Sequence, residues 1–547
     1  MAILDLEKSE TPTDFNCEFV IIGAGAVGIT LATELARKGR DVILLEAGGL
    51  SLEAQSQKIL RNARSTGFPL DGLHSGRFRL LGGTTNFWGG QLVPFDPIVF
   101  NDRPWINSRG WPVTRADMQP YYDRAMSLVG MDDCEADDPD VYRRAKTSLP
   151  DVGEELEIFL TRWAKVPNFA RLFKQDLASA NLKVVIHANV VGFEADGSGR
   201  RIARTHVRTF GGRQAVVSAK HTILACGTIE IARLLMLPYV DGSTTPWNHN
   251  PWLGQAYIDH LDSTAGEVTP IRPNAFHDVF DNMFFDGFKF NPKIKLTERA
   301  QMQHRLVGVA GSFIYRNSYQ ENADNIKLFL RAIRDGRWPT NFLKLPGHAL
   351  ALSRIALPFA LRYLRSNRTF HATDSAVLFR VTCEQIPQAN SKISLRPEQD
   401  ELGVPMVDVG WTIDQSELNT IAYFAEQVQA AFKTSGLADI HIDPRLAARD
   451  PSYLKDASDT YHQMGGARMG YDATDGTVDK DLAVFGISDL YVAGAAVFPS
   501  TGFANCTLTA IALGLRLSDH LTLAQSAAPT ASSLDLRAFE HRAYATN

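Results

Sequence analysis

The 547-residue sequence lacks the features that mark several large classes of protein. It has no excess of basic charge, because 56 Lys and Arg residues stand against 61 Asp and Glu residues. It also has no basic stripe interleaved with aromatic residues, so nucleic acid is not expected as a partner. No uninterrupted apolar stretch is long enough to span a bilayer. The first 14 residues carry acids and proline where a secretory signal needs a basic start and an apolar core, so we expect a cytoplasmic protein.

Cysteine is also scarce. The five cysteines are odd in number and scattered along the chain as Cys17, Cys134, Cys226, Cys383 and Cys506. They form no disulfide framework, and no close pair indicates a metal site, so no metal is predicted. The remaining composition is typical of an enzyme with mixed surface charge. The length exceeds one hydrophobic core, so we expect two domains.

A glycine-rich turn near the N-terminus follows a short apolar run. The run Phe19–Ile22 is too short for a helix and is typical of a buried parallel strand. In the turn, Gly23 permits tight bending, Gly25 removes a side chain that would block a pyrophosphate, and Gly28 lets the next helix pack on its strand. That helix is predicted over Ile29–Lys38. Its free N–H groups and dipole favour phosphate at the N-terminus.

A second predicted strand ends at an acidic residue. The strand Val42–Leu45 precedes Glu46, which lies roughly 20 residues beyond the last glycine of the turn, where a carboxylate accepts ribose hydroxyls. The same carboxylate would repel a 2′-phosphate. A glycine-rich turn without a ligand is the alternative, but strand, turn, helix, strand and acid in this order predict a dinucleotide site. Two later glycine-rich segments, Leu80–Gly90 and Ile223–Leu235, favour FAD over NAD.

A second glycine-rich frame lies near the C-terminus and holds His462 and Asn505. A neutral imidazole suits the removal of a hydroxyl proton, because its unperturbed pKa of about 6.5 lies near working pH. An asparagine can orient the hydroxyl without competing for the proton. The structural alternatives are a histidine that satisfies its own turn and an asparagine that caps the helix from Leu508 onward. Four other histidines have no comparable setting and are expected to be structural, namely His74, His187, His221 and His260.

The order of these segments predicts an α/β protein with a Rossmann-like FAD-binding domain and a second, α+β domain. The predicted FAD-binding domain is discontinuous and comprises residues 16–100, 182–261 and 459–525. Residues 101–181 are expected to be a connecting or covering segment. Residues 262–457 are expected to form a substrate domain on an antiparallel sheet covered by helices. The alternation in Val381–Leu395 predicts one strand of that sheet.

Residues 326–368 are predicted to be a helical insert, cut into short helices by Pro339, Pro346 and Pro358. Its cations are nearly unopposed by acids and comprise Lys327, Arg331, Arg334, Arg337, Lys344, Arg354, Arg362, Arg365 and Arg368. We favour a cover with a solvated basic face. The alternative is a surface for a membrane or for a partner protein.

Four segments of the chain resemble the glucose–methanol–choline (GMC) flavoprotein oxidoreductases. They are the fingerprint with Glu46, the loop GGTTNFWGG, the turn ACGTIE and the C-terminal frame with His462 and Asn505. Within the family, the resemblance is to the branch of pyranose oxidase and the bacterial glycoside 3-oxidases and 3-dehydrogenases. It covers nearly the whole chain except the insert 326–368.

The resemblance implies an FAD cofactor, a hydroxyl donor, His462 as the base facing the flavin and Asn505 as its partner. Two positions depart from the family pattern. Phe87 stands where pyranose oxidase has a histidine that bonds covalently to FAD, so the FAD is expected to be dissociable. Cys506 replaces the usual proline after the partner asparagine.

The segments that carry the resemblance also supply the expected cofactor contacts. These are Gly23, Gly25, Ala26, Gly28, Glu46, Ala47, Gly83, Thr84, Asn86, Trp88, Gly89, Val190, Ala225, Gly227, Gly494, Ala495 and Thr507. Trp88 either flanks the flavin ring or fills the core. Gln385 and Asn390, on the predicted substrate-domain strand, either face a hydroxylated ligand or lie on the solvent side of the pleat.

The function implied is oxidation of a secondary alcohol of a sugar or glycoside, possibly at carbon 3, to a ketone. The same chemistry on a terpenoid, sterol or aromatic alcohol is one alternative. A cyanohydrin lyase and a non-catalytic flavin-binding subunit are two others. The expected partner is a small hydroxylated substrate. A homo-oligomer or an electron-accepting partner stays open, as does the choice between oxidase and dehydrogenase.

Overall fold

A computed structural model describes residues 3–106, 108–316, 347, 358–371 and 375–526. Most of the predicted insert 326–368, including Lys327, Arg331, Arg334, Arg337, Lys344 and Arg354, lies outside the described residues. Among the described residues, no helix combines the length and the apolar character needed to cross a membrane.

The strands, in chain order, are β1 (Ile3–Asp5), β2 (Asp14–Ile22), β3 (Val42–Leu45), β4 (Arg64–Ser65), β5 (Gln91–Leu92), β6 (Leu156–Trp163), β7 (Leu182–Ile186), β8 (Asn189–Ala195), β9 (Ile202–Arg208), β10 (Gln214–Leu224), β11 (Leu261–Pro270), β12 (Met283–Phe285), β13 (Phe288–Leu296), β14 (Val309–Arg316), β15 (Ala376–Cys383), β16 (Lys392–Gln399), β17 (Pro405–Gly410), β18 (Ala438–Ile442), β19 (Ser458–Asp459) and β20 (Leu490–Val492).

The α-helices are α1 (Ala26–Arg37), α2 (Ala54–Lys58), α3 (Gly72–Ser75), α4 (Arg115–Leu128), α5 (Asp138–Arg144), α6 (Phe169–Leu172), α7 (Thr228–Leu235), α8 (Pro273–Phe280), α9 (Glu298–His304), α10 (358–366), α11 (Gln415–Thr434), α12 (Pro444–Ala447) and α13 (Thr507–Ser526). Short 3₁₀ helices span Ile59–Asn62, Gly83–Asn86, Pro97–Phe100, Pro104–Ile106, Asp176–Ala178, Pro451–Asp456 and Ala495–Val497.

The first sheet is an eight-stranded Rossmann-type sheet. Its order is β1-β7-β3-β2-β10-β9-β8, with β20 also paired to β10. The strands β1, β7, β3, β2 and β10 are paired in parallel in that order, and β20 is parallel to β10. Strand β9 runs antiparallel to both of its neighbours, β10 and β8. Strand β3 is buried throughout, as a strand covered on both faces must be. The predicted α/β class and the strand–turn–helix–strand order of the fingerprint are confirmed.

The first sheet extends further toward the N-terminus than the predicted boundary at residue 16. Strand β1 pairs in parallel with β7, and β2 begins at Asp14. The side chain of His187, just after β7, bonds to Asp5 at the end of β1 (2.6 Å). The short strand β1 therefore completes the edge of the sheet by non-local pairing with β7.

The second sheet is antiparallel and has nine strands. Its order is β18-β11-β15-β14-β13-β6-β5, with β12 paired to β13 and β19 paired to β11. Helix α11 packs on one face of it, where Phe379 of β15 meets Phe424 of the helix at 5.7 Å between ring centroids. Strand β6 comes from residues 101–181, so this segment is more than the connecting or covering segment expected from the sequence.

The strand predicted over Val381–Leu395 is wrong. Strand β15 ends at Cys383, and β16 begins at Lys392 in a separate three-stranded sheet with β17 and β4. Between them, the Glu384 carboxylate turns inward to a fully buried ion pair with Arg103 (2.7 Å), and Pro387 has no N–H for a ladder. The buried ion pair and the proline break the alternation that the pattern indicated.

Candidate active site

The glycine-rich turn forms one wall of a cavity of about 600 Å³. A Cβ atom on Gly23 (φ +104°) would lie 2.6 Å from the carbonyl oxygen of Ala225, and one on Gly28 would lie 1.8 Å from the carbonyl oxygen of Gly23. By contrast, a Cβ on Gly25 meets no protein atom within 4 Å. The turn is thus packed tightly against protein on one side and is open above Gly25, as bound phosphates at the start of α1 require.

Glu46 lies at the end of β3 and lines the same cavity. Its Oε2 accepts the N–H of Ala24 (3.0 Å), and its Oε1 accepts the N–H of Gly48 (2.9 Å). Burial raises the pKa of Glu46, and the two N–H groups oppose this shift. Each oxygen keeps a second lone pair for a ribose hydroxyl. The open glycine turn and this acid fit an adenine dinucleotide.

Most of the residues expected to contact the cofactor line this cavity. They are Gly23, Gly25, Ala26, Glu46, Ala47, Gly83, Thr84, Trp88, Val190, Ala225, Gly227, Gly494, Ala495 and Thr507, and His462 lines it as well. Trp88 lines the cavity and also fills the core. Its Nε1 donates to the carbonyl of Pro167 (2.7 Å), and its ring packs on Phe169.

Three expected contacts are not among the residues that line the cavity. Gly28 packs against Gly23, as the sequence predicted for the start of the helix. The Asn86 amide donates to the carbonyls of Leu81 and Gly83 and so holds the loop. A Cβ on Gly89 would lie 2.3 Å from the Trp163 ring. Contact of these three residues with the cofactor stays a prediction.

A single buried carboxylate organises the loop that carries His462. Asp259 Oδ1 accepts the N–H of His260 (2.7 Å), Thr460 (3.2 Å) and His462 (3.1 Å), and also the Thr460 hydroxyl (3.0 Å). Burial raises the pKa of Asp259 to about 7. Its amide N–H donates to Gln385 Oε1 (3.0 Å), so the carboxylate is itself held in place.

The imidazole of His462 makes two contacts through one nitrogen. Its Nδ1 lies 2.7 Å from Thr460 Oγ1 and 2.9 Å from Nδ1 of His260. Because the Thr460 hydroxyl donates to Asp259, its oxygen is the acceptor toward His462. The network therefore places the His462 proton on Nδ1 and leaves Nε2 with a lone pair. Burial, with the charge of Lys293 as a second cause, lowers the pKa of His462 to about 4, so the ring is neutral near pH 7.

Two family models match the chain. The one described as GMC oxidoreductase matches residues 387–514, and the one described as FAD dependent oxidoreductase matches residues 18–278. The C-terminal part of the chain is similar to the GMC oxidoreductases, and the N-terminal part is similar to the FAD-dependent oxidoreductases. The chain is an FAD-dependent enzyme that oxidises alcohol groups, so the predicted cofactor and enzyme class are confirmed.

Two curated proteins and one crystal structure are similar to this chain over nearly its full length. The 6'''-hydroxyparomomycin C oxidase of Streptomyces lividus is 23% identical over 91% of this chain and 90% of that protein. The paromamine 6'-oxidase of Streptomyces fradiae is 22% identical over 91% of this chain and 90% of that protein. The crystal structure of formate oxidase shares the fold, with a TM-score of 0.56 and 18% identity over 94% of this chain and all of that one.

His260 was expected to be structural, yet it contacts His462. It is fully buried, and burial holds its pKa well below the usual value. Because His462 donates from its Nδ1, Nδ1 of His260 is the acceptor and the His260 proton lies on Nε2. That nitrogen is buried and has no hydrogen-bond partner among the described residues. No sequence signal linked the two histidines, because 202 residues separate them.

Asn505 lies just before α13 and is 9% exposed. Its amide donates to the carbonyl of Gln91 (2.6 Å), and its Oδ1 has no hydrogen-bond partner among the described residues. It therefore caps no N–H of α13 there. The following residues, Cys506 and Thr507, line the cavity. Its role beside His462 stays a prediction.

Two polar residues weighed as ligand contacts have other roles in this oxidoreductase. Gln385 is fully buried, and its Oε1 accepts from Trp411 Nε1 (2.6 Å) as well as from Asp259. Asn390 is exposed and accepts from the Thr412 hydroxyl (3.1 Å). Gln385 therefore supports Asp259 from behind, and Asn390 lies on the surface.

Proposed function

We propose that this enzyme oxidises a secondary hydroxyl of a sugar or glycoside to a ketone, with carbon 3 as the first position to test. One observation carries the proposal: a neutral imidazole with a free Nε2 lines the cavity that also holds the glycine turn and Glu46. Support for a sugar-like substrate comes from the full-length similarity to the two Streptomyces oxidases, which are named for paromamine-type compounds.

The residues of the chain divide the work of the reaction. The chemistry that FAD supplies when bound is acceptance of the carbinol hydrogen as hydride. His462 Nε2 takes the hydroxyl proton, and such positioned bases typically contribute about a hundred- to ten-thousandfold in rate. The free Oδ1 of Asn505 accepts a hydrogen bond from a substrate hydroxyl. His260 and Thr460 keep the proton of His462 on Nδ1, so that Nε2 stays basic.

An anaerobic screen of sugars, glycosides and other alcohols tests this function, with loss of flavin absorbance as the readout. We expect bleaching by a sugar or glycoside, and we expect His462→Ala to bind flavin and resist bleaching. Bleaching only by a terpenoid, sterol or aromatic alcohol would replace the substrate class. Release of HCN from a cyanohydrin without bleaching by any alcohol would indicate a lyase, and an unchanged His462→Ala would indicate a non-catalytic subunit.

We also propose that the FAD is held without a covalent bond. Phe87 lines the cavity at 51% exposure and stacks on Phe78 (4.2 Å between ring centroids), and a phenyl ring has no nucleophile for a flavin linkage. Acid precipitation of the yellow protein tests this. All colour is expected in the supernatant, and colour that stays with the precipitate would disprove it.

We also propose that the enzyme is cytoplasmic. A small hydroxylated substrate is the expected partner, with no nucleic acid, and a homo-oligomer or an electron-accepting protein is open. Cell fractionation and the mass of the native particle in solution test these points. Association with a membrane is not expected, and sedimentation with anionic vesicles would contradict that.

A further inference from the structure

One face of the second sheet carries several cations, and we refer to it as the site face. Side chains that lie opposite each other in a ladder point to the same face. Lys289 lies opposite Trp163, and Lys293 lies opposite Phe159. On the same face of the neighbouring strands, Arg380 of β15 lies opposite Ser312 of β14. The opposite face, to which Phe379 belongs, is covered by α11.

The site face is directed at the loop that carries Asn505. Lys295 Nζ lies 5.3 Å from the ring centroid of Phe159 and 5.9 Å from that of Phe503. The Phe159 and Phe503 centroids are 5.5 Å apart. Phe503 lies two residues before Asn505. An aromatic ring of the sheet, Phe159, and a ring of the loop that carries Asn505 therefore contact each other close to Lys295.

The other cations of the site face have partners. Arg380 Nε pairs with Asp262 (2.7 Å), and Lys295 Nζ pairs with Asp96 (2.9 Å). Lys289 Nζ lies over the Trp163 ring at 3.7 Å, a favourable cation–π distance. These three charges are therefore already balanced or sheltered.

Lys293 differs from its neighbours. Within the described ranges its ammonium makes neither an ion pair nor a hydrogen bond, and Phe159 is the residue opposite. Its side chain remains partly accessible to solvent. Its charge acts on both His462 and His260, so it stands close to the catalytic histidine. Burial lowers the pKa of Lys293 to about 8, so most molecules carry the charge at neutral pH.

The Asp262 carboxylate acts on the Lys293 charge, but it is already paired with Arg380. A bound anion would relieve the cost of an ammonium that is partly withdrawn from water without its own ion pair. We propose that Lys293 binds an anionic group of the substrate, so that the alcohol oxidised by this enzyme is a sugar acid or a sugar phosphate. The proposal rests on the proposed function for the oxidised hydroxyl. Phe159 lies opposite the lysine in the ladder and offers it an apolar neighbour.

The test uses the FAD-loaded enzyme and four probes that differ in charge: D-glucose, D-glucuronate, D-glucose 6-phosphate and D-glucosamine. Binding is measured anaerobically at constant ionic strength from the change in flavin absorbance, and reduction from its loss. The variants are Lys293→Met, which removes only the charge, and Lys293→Arg, which keeps it. Lys295→Met is the matched control, since it removes a balanced cation from the same strand and face.

We expect glucuronate or glucose 6-phosphate to bind most tightly to the wild type. Lys293→Met should weaken that binding about tenfold or more and leave glucose within about twofold, as loss of a charge-assisted bond predicts. Lys293→Arg and Lys295→Met should keep the preference. The stronger of the two anionic probes identifies the group as carboxylate or phosphate. Sulfate should compete with the anionic probe and not with glucose.

Equal weakening of glucose and the anions in Lys293→Met would overturn the proposal. So would a preference for glucosamine, or no binding of either anion at its solubility limit. If Lys293→Met does not fold, sulfate competition in the wild type decides alone. Anionic probes that bind through Lys293 while no sugar bleaches the flavin would refute sugar oxidation and leave the anion site standing.

Discussion

The Nδ1 atoms of His260 and His462 lie 2.9 Å apart, with the rings near perpendicular at 81°. Two nitrogens at this distance share one proton, so one ring donates and the other accepts. Because Thr460 also accepts at His462 Nδ1, the donor is His462. The contact therefore determines which nitrogen of the catalytic ring remains basic.

Replacing His260 by Phe should slow the reaction without abolishing it. The variant removes one of the two acceptors at His462 Nδ1. Loss of a group that orients a functional imidazole typically lowers activity about 10- to 100-fold. The limiting rate of anaerobic flavin reduction measures the effect. A shifted pH profile of this rate would accompany it, which a merely structural loss would not produce. His441→Asn, at an exposed position, is the control and should keep the wild-type profile.

The rate of flavin reduction should hold from neutral pH down to mildly acidic pH. His462 acts as a base only when neutral, and burial lowers its pKa to about 4, so protonation removes the base only near that pH. The groups that surround it are His260, Asp259 and Lys293. Lys293→Met should raise the apparent pKa, since the lysine charge disfavours the imidazolium. An inflection near the unperturbed value of about 6.5 would show that the ring is not desolvated in solution.

Asp259→Ala should destabilise the protein strongly, whereas Asp259→Asn should cost less. The alanine variant leaves the buried N–H groups of His260, Thr460 and His462 without an acceptor, and each such loss costs about 1–3 kcal/mol. The amide of asparagine keeps an oxygen for the same donors. Denaturant unfolding of the two variants measures the difference. Equal stability of Ala and Asn would contradict the arrangement of donors around Oδ1.

Gly25→Ala should weaken FAD binding and leave the fold intact. The added Cβ meets no protein atom within 4 Å, but it projects into the space assigned to the pyrophosphate. We expect the Kd for FAD to rise about tenfold or more, the size of one lost charge-assisted hydrogen bond, at an unchanged apo-protein melting temperature. Gly197→Ala, also in open space, is the control. Wild-type FAD affinity in Gly25→Ala would place the phosphates elsewhere.

The half of the site that binds the dinucleotide was predictable from the chain. The contacts of Gly23, Gly25 and Glu46 form within one strand–turn–helix–strand unit, so residue type and spacing along the chain are enough to identify them. The cavity indeed runs past these residues to His462. Asn86 bonds within its own loop and Gly89 packs on Trp163, and a sequence pattern does not distinguish a residue that lines a wall from one that supports it.

The substrate side could not be predicted in the same way. Gln385 appeared as a strand residue with an open polar side chain, but a buried ion pair between Glu384 and Arg103 ends the strand before it. Arg103 precedes Glu384 by 281 positions. The burial of the pair therefore depends on a distant segment of the chain. Alternation within a short window contains no information about such a partner.

By itself, the sequence determined the cofactor class, the Rossmann-type start and the identity of the candidate base, because each depends on a short contiguous motif. Only the tertiary structure decided that His260 reaches His462 and that Lys293, which has no ion pair among the described residues, acts on both rings. Both facts arise from the register of distant strands and the loops that follow them. Local spacing does not specify that register, since it is set by packing of the whole sheet against the nucleotide domain.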